Sequence, residues 1–255
     1  MAAINGLDIV VGGVQKAGTT SLYHYFLGHD GLRAPARKEL HFFDDETVNW
    51  DRPDYARLHA LLGPPDGARR SFDITPIYLF WPPALARIRV YNPHCKLIFI
   101  FRDPIERAWS HWRMETRRRA DDMPFAAAIR EGRQRIGNAA PLGSAWRVFS
   151  YVERGFYADQ LRRLFGLFPR EQVLLLRTND LQRDHAATLS RIASFLGIPA
   201  FPERPPHKIF QAPEDGAVLD RRDVDYLREL FYDDVLAFSD LSGLPVDDWL
   251  TVAHK

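Results

Sequence analysis

Hydrophobic residues along the chain form short continuous runs that are separated by longer segments with helical spacing. The apolar runs at residues 9–11, 96–101 and 173–176 predict strands that are buried on both faces, as in a parallel sheet. Residues 71–75 and 32–34 are shorter candidates for strands. The strand pattern alone therefore favours a sheet that is covered on both sides.

Apolar residues with helical spacing fill most of the chain between these runs. Prolines and capping residues mark several helix ends, for example Asp103-Pro104 at a start and Gly197 at an end. Strands that alternate with helices predict an α/β fold, with three layers and a mainly parallel central sheet flanked by helices. After the first strand and helix, the predicted helices cover residues 51–62, 82–90, 103–119, 151–168, 184–196 and 220–238.

A glycine-rich turn, residues 12–18, joins the first predicted strand to the first predicted helix. Thr19, Thr20 and Ser21 open that helix. In such a unit, backbone N–H groups and the positive end of the helix dipole converge on one point. The turn is therefore predicted to be a P-loop-like cradle for a phosphate.

Lys16 has an unusual place in this turn. The pattern GxxxxGK[ST] of nucleoside triphosphate sites has a lysine directly after its last glycine. Gly13 and Gly18 have the required separation, but Thr19 stands where that lysine belongs and Lys16 lies inside the loop. This position favours a shorter anion, with the ammonium close to the group that departs from the phosphate. An ordinary turn with a loop lysine is the alternative for this stretch taken alone.

The segment KELHFFD, residues 38–44, contains a lysine, a carboxylate and an imidazole within four positions. If the segment is extended, Glu39 and His41 face one cavity, because residues two apart share a face. Apolar neighbours such as Phe42 and Phe43 are then expected to raise the pKa of Glu39 towards that of a useful base. A surface turn over a buried pair of phenylalanines is the alternative.

Arg102 directly follows the strongest predicted strand, at the carboxyl end where open α/β sheets bind ligands. Ser110 lies about two helical turns further along and is predicted to face the same crevice. Arg113 and the arginines at 117–119 follow on that helix. These arginines are interpreted as a solvated helix end near the negative pole of the dipole, or as a rim for an anionic acceptor.

The composition excludes several classes of protein. The 255 residues carry a net charge of +1, which argues against a nucleic-acid or membrane-surface partner. Cys95, the single cysteine, excludes an internal disulfide, and its place before an apolar strand predicts a buried, inert thiol. Without an export signal or a membrane-length apolar stretch, we expect one soluble, cytoplasmic domain over residues 1–255. Residues 132–150 and 199–216 are predicted to be mobile loops over a site.

Three of these motifs together resemble the family of sulfotransferases that use 3′-phosphoadenosine 5′-phosphosulfate (PAPS). Residues 15–22, QKAGTTSL, resemble the loop that holds the 5′-phosphosulfate. Residues 101–110, FRDPIERAWS, resemble the motif in which an arginine and a serine eight residues later hold the 3′-phosphate. Residues 38–44 resemble the segment that carries the catalytic glutamate in heparan-sulfate-type and related bacterial O-sulfotransferases.

The resemblance implies transfer of a sulfuryl group from PAPS to a hydroxyl of a small-molecule, natural-product or carbohydrate acceptor, which leaves 3′-phosphoadenosine 5′-phosphate (PAP). It implies that Glu39 takes the acceptor proton with His41 assisting. It also implies that Lys16 neutralises the departing phosphate, so no metal is required. The choice of base stays open between Glu39 and His41, since cytosolic steroid and phenol sulfotransferases use a histidine. The implied donor site comprises Gln15, Lys16, Ala17, Gly18, Thr19, Thr20, Ser21, Arg102 and Ser110, with Lys208 and Phe210 from a late loop.

The sequence departs from the family pattern at Ile74, where heparan-type enzymes have a lysine. A polysaccharide acceptor therefore does not follow from the resemblance alone. Two other functions stay open. One is a P-loop-like nucleotide kinase, which Thr19 in place of the lysine disfavours, and the other is a non-catalytic module that binds PAP or another anion.

Overall fold

The computed structural model describes residues 6–67, 69–206 and 218–253. Within these ranges the chain forms two compact units. The first comprises the residues up to Phe101 together with residues 164–206, and the second comprises residues 102–163 together with residues 218–253. The prediction of one domain over the whole chain stays a prediction.

The first unit contains a five-stranded sheet in which every neighbouring pair of strands is parallel. Across the sheet the order is β2-β3-β1-β4-β5, so β1 lies between β3 and β4. The predicted mainly parallel sheet is confirmed. The strands are β1 (Ile9–Gly13), β2 (Leu32–Arg33), β3 (Arg70–Ile74), β4 (Lys96–Phe101) and β5 (Val173–Arg177).

Helices alternate with the strands and flank the sheet, which confirms the predicted α/β class. Short 3₁₀ turns occur at Glu131–Arg133, Glu153–Gly155 and Arg170–Gln172. The α-helices of the described residues are α1 (Thr19–Leu27), α2 (Ala56–Leu62), α3 (Ala84–Tyr91), α4 (Pro104–Arg117), α5 (Phe125–Ala128), α6 (Gln134–Gly137), α7 (Ser144–Val148), α8 (Tyr157–Leu167), α9 (Thr178–Arg183), α10 (His185–Leu196) and α11 (Arg221–Ser242).

The strands β1 and β4 form the centre of the hydrophobic core of the first unit. Every residue of β1 is buried, and in β4 only Lys96 is partly exposed. Val11 of β1 pairs with Ile74 on one side and with Ile98 on the other. Because a central parallel strand is covered on both faces, its sequence is apolar without alternation, and this is the pattern that predicted these strands.

The helix α2 is shorter than the helix predicted over residues 51–62. It begins at Ala56, whose N–H donates to the side chain of Asp54 at 2.9 Å. An aspartate that accepts a backbone N–H near a helix start satisfies a donor that the helix itself leaves unpaired. Residues 132–150 also differ from the prediction of a loop, since they contain α6 and α7.

The helix predicted over residues 151–168 is interrupted at Phe156. A 3₁₀ turn precedes this residue, and α8 follows it. The side chain of Asp234 accepts hydrogen bonds from the N–H groups of Tyr157 at 2.6 Å and Ala158 at 3.2 Å. The start of α8 is therefore fixed by a carboxylate from α11, which is remote in the sequence.

In the second unit, Asp103 caps α4. Its Oδ1 accepts the N–H of Glu106 at 3.0 Å, and its Oδ2 accepts the N–H and the hydroxyl of Thr251 at 2.8 and 2.7 Å. Pro104 supplies the first helical residue, as predicted. This cap fixes the chain next to Arg102, which immediately precedes it.

The thiol of Cys95 is buried, and burial raises its pKa well above the ordinary value. Only the thiolate is a strong nucleophile. The structure therefore confirms the predicted buried, inert thiol.

Candidate functional site

The loop between β1 and α1 contains two residues in the left-handed region of backbone conformation. Gly18 precedes α1 with φ of 105°, and Lys16 has φ of 74°. The carbonyl of Ala17 accepts a hydrogen bond from the hydroxyl of the buried Thr178 at 2.6 Å. Because Thr178 directly follows β5, the loop is fixed to the carboxyl end of the sheet.

Gly12, at the entrance to this loop, lies too close to β4 to carry a side chain. An added Cβ would lie 2.7 Å from Cε1 of Phe99. The carbonyl of Gly12 also accepts the N–H of Leu79 at 2.9 Å. The close approach of Phe99 therefore requires a glycine here, and the backbone bond to Leu79 fixes its position.

The start of α1 has the properties of an anion site. The first turn of a helix has N–H groups without intrahelical acceptors, and the dipole makes this end partly positive. The N–H of Ser21 donates a hydrogen bond to the carbonyl of Gly18 at 3.0 Å. A lysine loop followed by a left-handed glycine and a helix start is an arrangement that fits a phosphate.

Four charged side chains, Lys38, Glu39, His41 and Asp44, form a connected cluster in the first unit. The Nζ of Lys38 lies 2.6 Å from Oε1 of Glu39, and Nε2 of His41 lies 3.4 Å from Oε2 of Glu39. The Nδ1 of His41 lies 2.9 Å from Oδ2 of Asp44, whose side chain is fully buried. Lys38 also donates to the hydroxyl of Thr20, in the first turn of α1, at 3.1 Å. The cluster therefore links the candidate phosphate loop to the predicted base.

The contacts within the cluster set the charges of Glu39 and His41. Burial raises the pKa of Glu39, but hydrogen bonds from His41 and Lys38 outweigh it and lower the pKa to about 2. Burial lowers the pKa of His41, but hydrogen bonds to Asp44 and Glu39 outweigh it and raise the pKa to about 9. The prediction of a raised pKa for Glu39 is wrong, because its nearest polar contacts are cations.

The sequence prediction that Glu39 and His41 face one cavity assumed an extended backbone. The backbone at these two residues is not extended. Their φ angles are 61° and 52°, in the left-handed region. Each such non-glycine residue costs about 1–3 kcal/mol. The side chains of Glu39 and His41 nevertheless meet. The turn brings them together, and the alternation of side chains along a strand plays no part. Phe42 and Phe43 are buried, as the alternative interpretation of this segment predicts.

Arg102 and Ser110 belong to the second unit. The Nε of Arg102 donates to Oε2 of Glu106 at 2.9 Å. The carbonyl of Arg102 accepts the hydroxyl of Tyr157 at 2.9 Å. Both Arg102 and Ser110 are partly exposed, so a ligand can reach their side chains.

Sequence reasoning did not assign Lys38 or Asp44 to the site. Both lie within the KELHFFD segment, and Asp44 follows His41 by three residues. This spacing was the available signal, since residues three apart approach each other in a turn. Their roles became visible only from the distances to Glu39 and His41.

Lys208 and Phe210, predicted to contact the donor from a late loop, lie outside the described residues. Within the described ranges, no group of three or more histidine, cysteine, aspartate or glutamate side chains is arranged to hold a metal ion. The same ranges contain no helix that is both long enough and apolar enough to cross a membrane.

Comparison with known families matches residues 7–211 to the sulfotransferase domain. Heparan sulfate glucosamine 3-O-sulfotransferase 3B1 of Homo sapiens is 31% identical over 192 residues. That match covers 74% of this chain and 45% of the human protein. The chain thus spans about half the length of the curated relatives it matches.

Solved sulfotransferase structures share the fold. The sulfotransferase of Alicyclobacillus acidocaldarius superimposes with a TM-score of 0.79 at 23% identity, over 96% of this chain and 99% of that chain. Mouse sulfotransferase SULT7A1, complexed with PAP, gives a TM-score of 0.54 at 16% identity, over 94% of this chain and 89% of that chain. At these identities the likeness concerns the fold alone, and it confirms the predicted P-loop-like architecture.

Proposed function

Because the chain belongs to the sulfotransferase domain family, we propose that it transfers a sulfuryl group from PAPS to a hydroxyl group of an acceptor. One observation carries this proposal. The ammonium of Lys38 lies 3.1 Å from the hydroxyl of Thr20 and 2.6 Å from the carboxylate of Glu39. A helix start suited to a phosphate and a candidate base therefore share one cation. This contact places the proposed donor site next to Glu39, and an in-line transfer requires such proximity.

The loop before α1 is proposed to hold the 5′ end of the donor. Residues 15–21 supply N–H groups and the positive end of the α1 dipole. The ammonium of Lys16 stabilises negative charge on the phosphate oxygen from which the sulfuryl group departs. Bound PAPS would supply the sulfuryl group itself. Thr19 in the position of the usual lysine disfavours a triphosphate in this loop.

Arg102 and Ser110 are proposed to hold the 3′-phosphate, as the family resemblance implies. A guanidinium matches the geometry of a phosphate with two parallel hydrogen bonds. The backbone of Arg102 is fixed by Tyr157 and by the Asp103 cap, which limits the conformational entropy lost on binding. Lys208 and Phe210 belong to the same proposal.

The protonation states favour Glu39 over His41 as the base. With a pKa of about 9, His41 carries a proton at neutral pH and has no free lone pair for another. With a pKa of about 2, Glu39 is ionised at neutral pH, so Glu39 and not His41 has the free lone pair that a general base needs. His41 then stabilises and orients that carboxylate from 3.4 Å.

The acceptor is proposed to be a carbohydrate or a small molecule with a free hydroxyl. The human relative is named for sulfation of glucosamine in heparan sulfate, which favours a carbohydrate. Ile74, where heparan-type enzymes have a lysine, is fully buried in this chain. The site therefore lacks one cation of the heparan-type pattern, and small hydroxylated molecules belong in the same acceptor panel.

Calorimetry with PAP and with AMP, followed by transfer from radiolabelled PAPS, tests the proposal. We expect PAP to bind more tightly than AMP, and Arg102→Ala to abolish this preference. Arg117→Ala, exposed at the end of α4, is the matched control and should retain it. Failure to bind PAP would contradict the proposal. Mg²⁺-dependent ATP binding that displaces PAP would favour a kinase, and PAP binding without transfer to any acceptor would favour a non-catalytic module.

A further inference from the structure

Three consecutive backbone N–H groups in the segment that contains Glu39 and His41 face polar side chains of residues 73–78. The segment has no regular secondary structure of its own. Its backbone is therefore held by side chains and not by a ladder of backbone hydrogen bonds. Leu40 donates to Oδ1 of Asp73 at 3.3 Å, His41 donates to the hydroxyl of Thr75 at 3.5 Å, and Phe42 donates to the hydroxyl of Tyr78 at 3.2 Å.

Asp73 is the common acceptor beneath these contacts. It is fully buried, and its carboxylate accepts the hydroxyl of Thr75 at 2.8 Å and that of Tyr78 at 2.7 Å. A hydroxyl has one hydrogen and two lone pairs. When Thr75 and Tyr78 give their hydrogens to Asp73, their lone pairs turn towards the N–H groups of the segment. The carboxylate thus determines the direction of the whole network.

The hydrogen bonds around Asp73 fit an ionised carboxylate, which can act as this common acceptor. Burial raises its pKa to about 6, while hydrogen bonds from Tyr78, Thr75 and Leu40 oppose the rise. An ionised carboxylate only accepts hydrogen bonds, and Asp73 receives three from these partners. A buried acceptor of this kind is satisfied only while the donors stay in place.

The network coincides with unfavourable backbone conformations. Glu39 and His41 have φ of 61° and 52°, and such residues persist only where their surroundings fix them. The hydrogen bonds that the N–H groups of Leu40, His41 and Phe42 donate supply this constraint. They lie within the strained turn and at the residue that follows it. These three hydrogen bonds therefore offset the free energy of the strained backbone, and their acceptors lie more than thirty positions away in the sequence.

We propose that Asp73, acting through Thr75 and Tyr78, is a positioning residue that holds the strained turn and thereby keeps Glu39 and His41 in contact. Asp73 is buried, so it acts on the reaction only through the backbone of that turn. This inference rests on the proposed sulfotransferase function for its kinetic readout. Its second readout, the pKa of His41, does not depend on any activity.

Tyr78→Phe is the first variant, because it removes one hydroxyl and leaves the ring packed 5.7 Å from that of Phe43. We expect kcat to fall about 10–100-fold, as for other misplaced catalytic groups, with an unchanged affinity for PAP. NMR titration should show the pKa of His41 falling from about 9 towards its ordinary value, since its contact with Glu39 loosens. Tyr151→Phe is the matched control. Its buried hydroxyl donates to Asp121 in the second unit at 2.8 Å, and its loss should change neither readout.

Asp73→Asn is the second variant and is expected to have the larger effect. It keeps the shape of the side chain but replaces one acceptor oxygen with an N–H₂ donor that faces donors. If either variant fails to fold, Thr75→Val removes a single hydroxyl and provides the same two readouts.

Wild-type kcat together with an unchanged pKa of His41 in a folded variant would overturn the inference. A fall in the pKa of His41 supports it even if the wild-type protein transfers no sulfuryl group, an outcome that would contradict the proposed function alone. A loss of kcat in the Tyr151→Phe control, equal to that in Tyr78→Phe, would also overturn it, because any buried hydroxyl would then matter as much.

Discussion

The Nδ1 atom of His41 lies 2.9 Å from Oδ2 of Asp44, and the carboxylate of Asp44 is fully buried. On the other side of the ring, Nε2 lies 3.4 Å from Glu39. A histidine between two carboxylates retains its proton, because both neighbours favour the charged ring. His41 is therefore protonated at neutral pH. In the proposed reaction it orients Glu39 and does not compete with it for the acceptor proton.

Replacing Asp44 with asparagine should release His41 from this state. Asp44→Asn removes the negative charge beside Nδ1, so the pKa of His41 should fall from about 9 towards 6.5. NMR titration of the histidine ring measures this change. Asp45→Asn is the control, since Asp45 pairs with Arg57 at 3.1 Å. An unchanged pKa of His41 in Asp44→Asn would show that the ion pair does not set the charge of the ring.

Stability should depend on pH through His41. Its pKa is about 9 in the folded protein against an ordinary 6.5, so its stabilising contribution is complete below pH 6.5 and disappears as the pH rises through 9. Urea denaturation of wild type and His41→Gln between pH 6 and pH 10 measures it. The difference in unfolding free energy should shrink across this range. The exposed His94→Gln is the control, with a small effect at every pH.

Glu39→Gln should reduce turnover while sparing the donor site. A positioned base contributes about 10²–10⁴-fold to a rate, and an amide cannot accept the proton. The affinity for PAP should be unchanged, because the residues proposed to hold that ligand are the β1–α1 loop and Arg102 and do not include Glu39. Single-turnover transfer from PAPS and calorimetry with PAP separate the two effects. Glu171→Gln, on an exposed 3₁₀ turn, is the control, and equal turnover in the two variants would exclude Glu39 as the base.

Gly12→Ala should destabilise the protein by about 1–3 kcal/mol, because its Cβ would lie 2.7 Å from Phe99. The affinity for PAP should fall as well, since the displaced strand leads into the loop that is proposed to hold the 5′-phosphate. Chemical denaturation and PAP titration measure both effects. In Gly166→Ala, the matched control within α8, the added Cβ meets no atom of the described residues within 4 Å. That variant should be stabilised by about 0.5–1 kcal/mol, and a similar loss in both variants would contradict the packing argument.

Local patterns predicted most of the architecture. The run Lys96–Phe101 was predicted as a buried strand and has those bounds in the structure. The start of α4 after Asp103 could be predicted because the capping aspartate and the proline are neighbours in the sequence. The interruption before α8 could not be predicted, since the carboxylate that fixes the start of α8 belongs to Asp234, 77 positions away from Tyr157.

The sequence by itself determined the order of strands and helices, the glycine-rich loop with Lys16 that is proposed to hold a phosphate, and the short spacing of a carboxylate and an imidazole. These features follow from the periodicity of apolar residues, the positions of glycines and the short spacing of residues 39 and 41, all of which are local in the sequence. Only the tertiary structure decided how closely Glu39 and His41 meet their charged neighbours, which keeps both of them charged, and how their turn is held. The turn is held by Asp73, which meets Leu40 across 33 positions. The two charges follow from the contacts with Lys38 and Asp44 that the turn creates. No local pattern specifies a strained turn that distant side chains hold, and so none specifies the contacts that the turn creates.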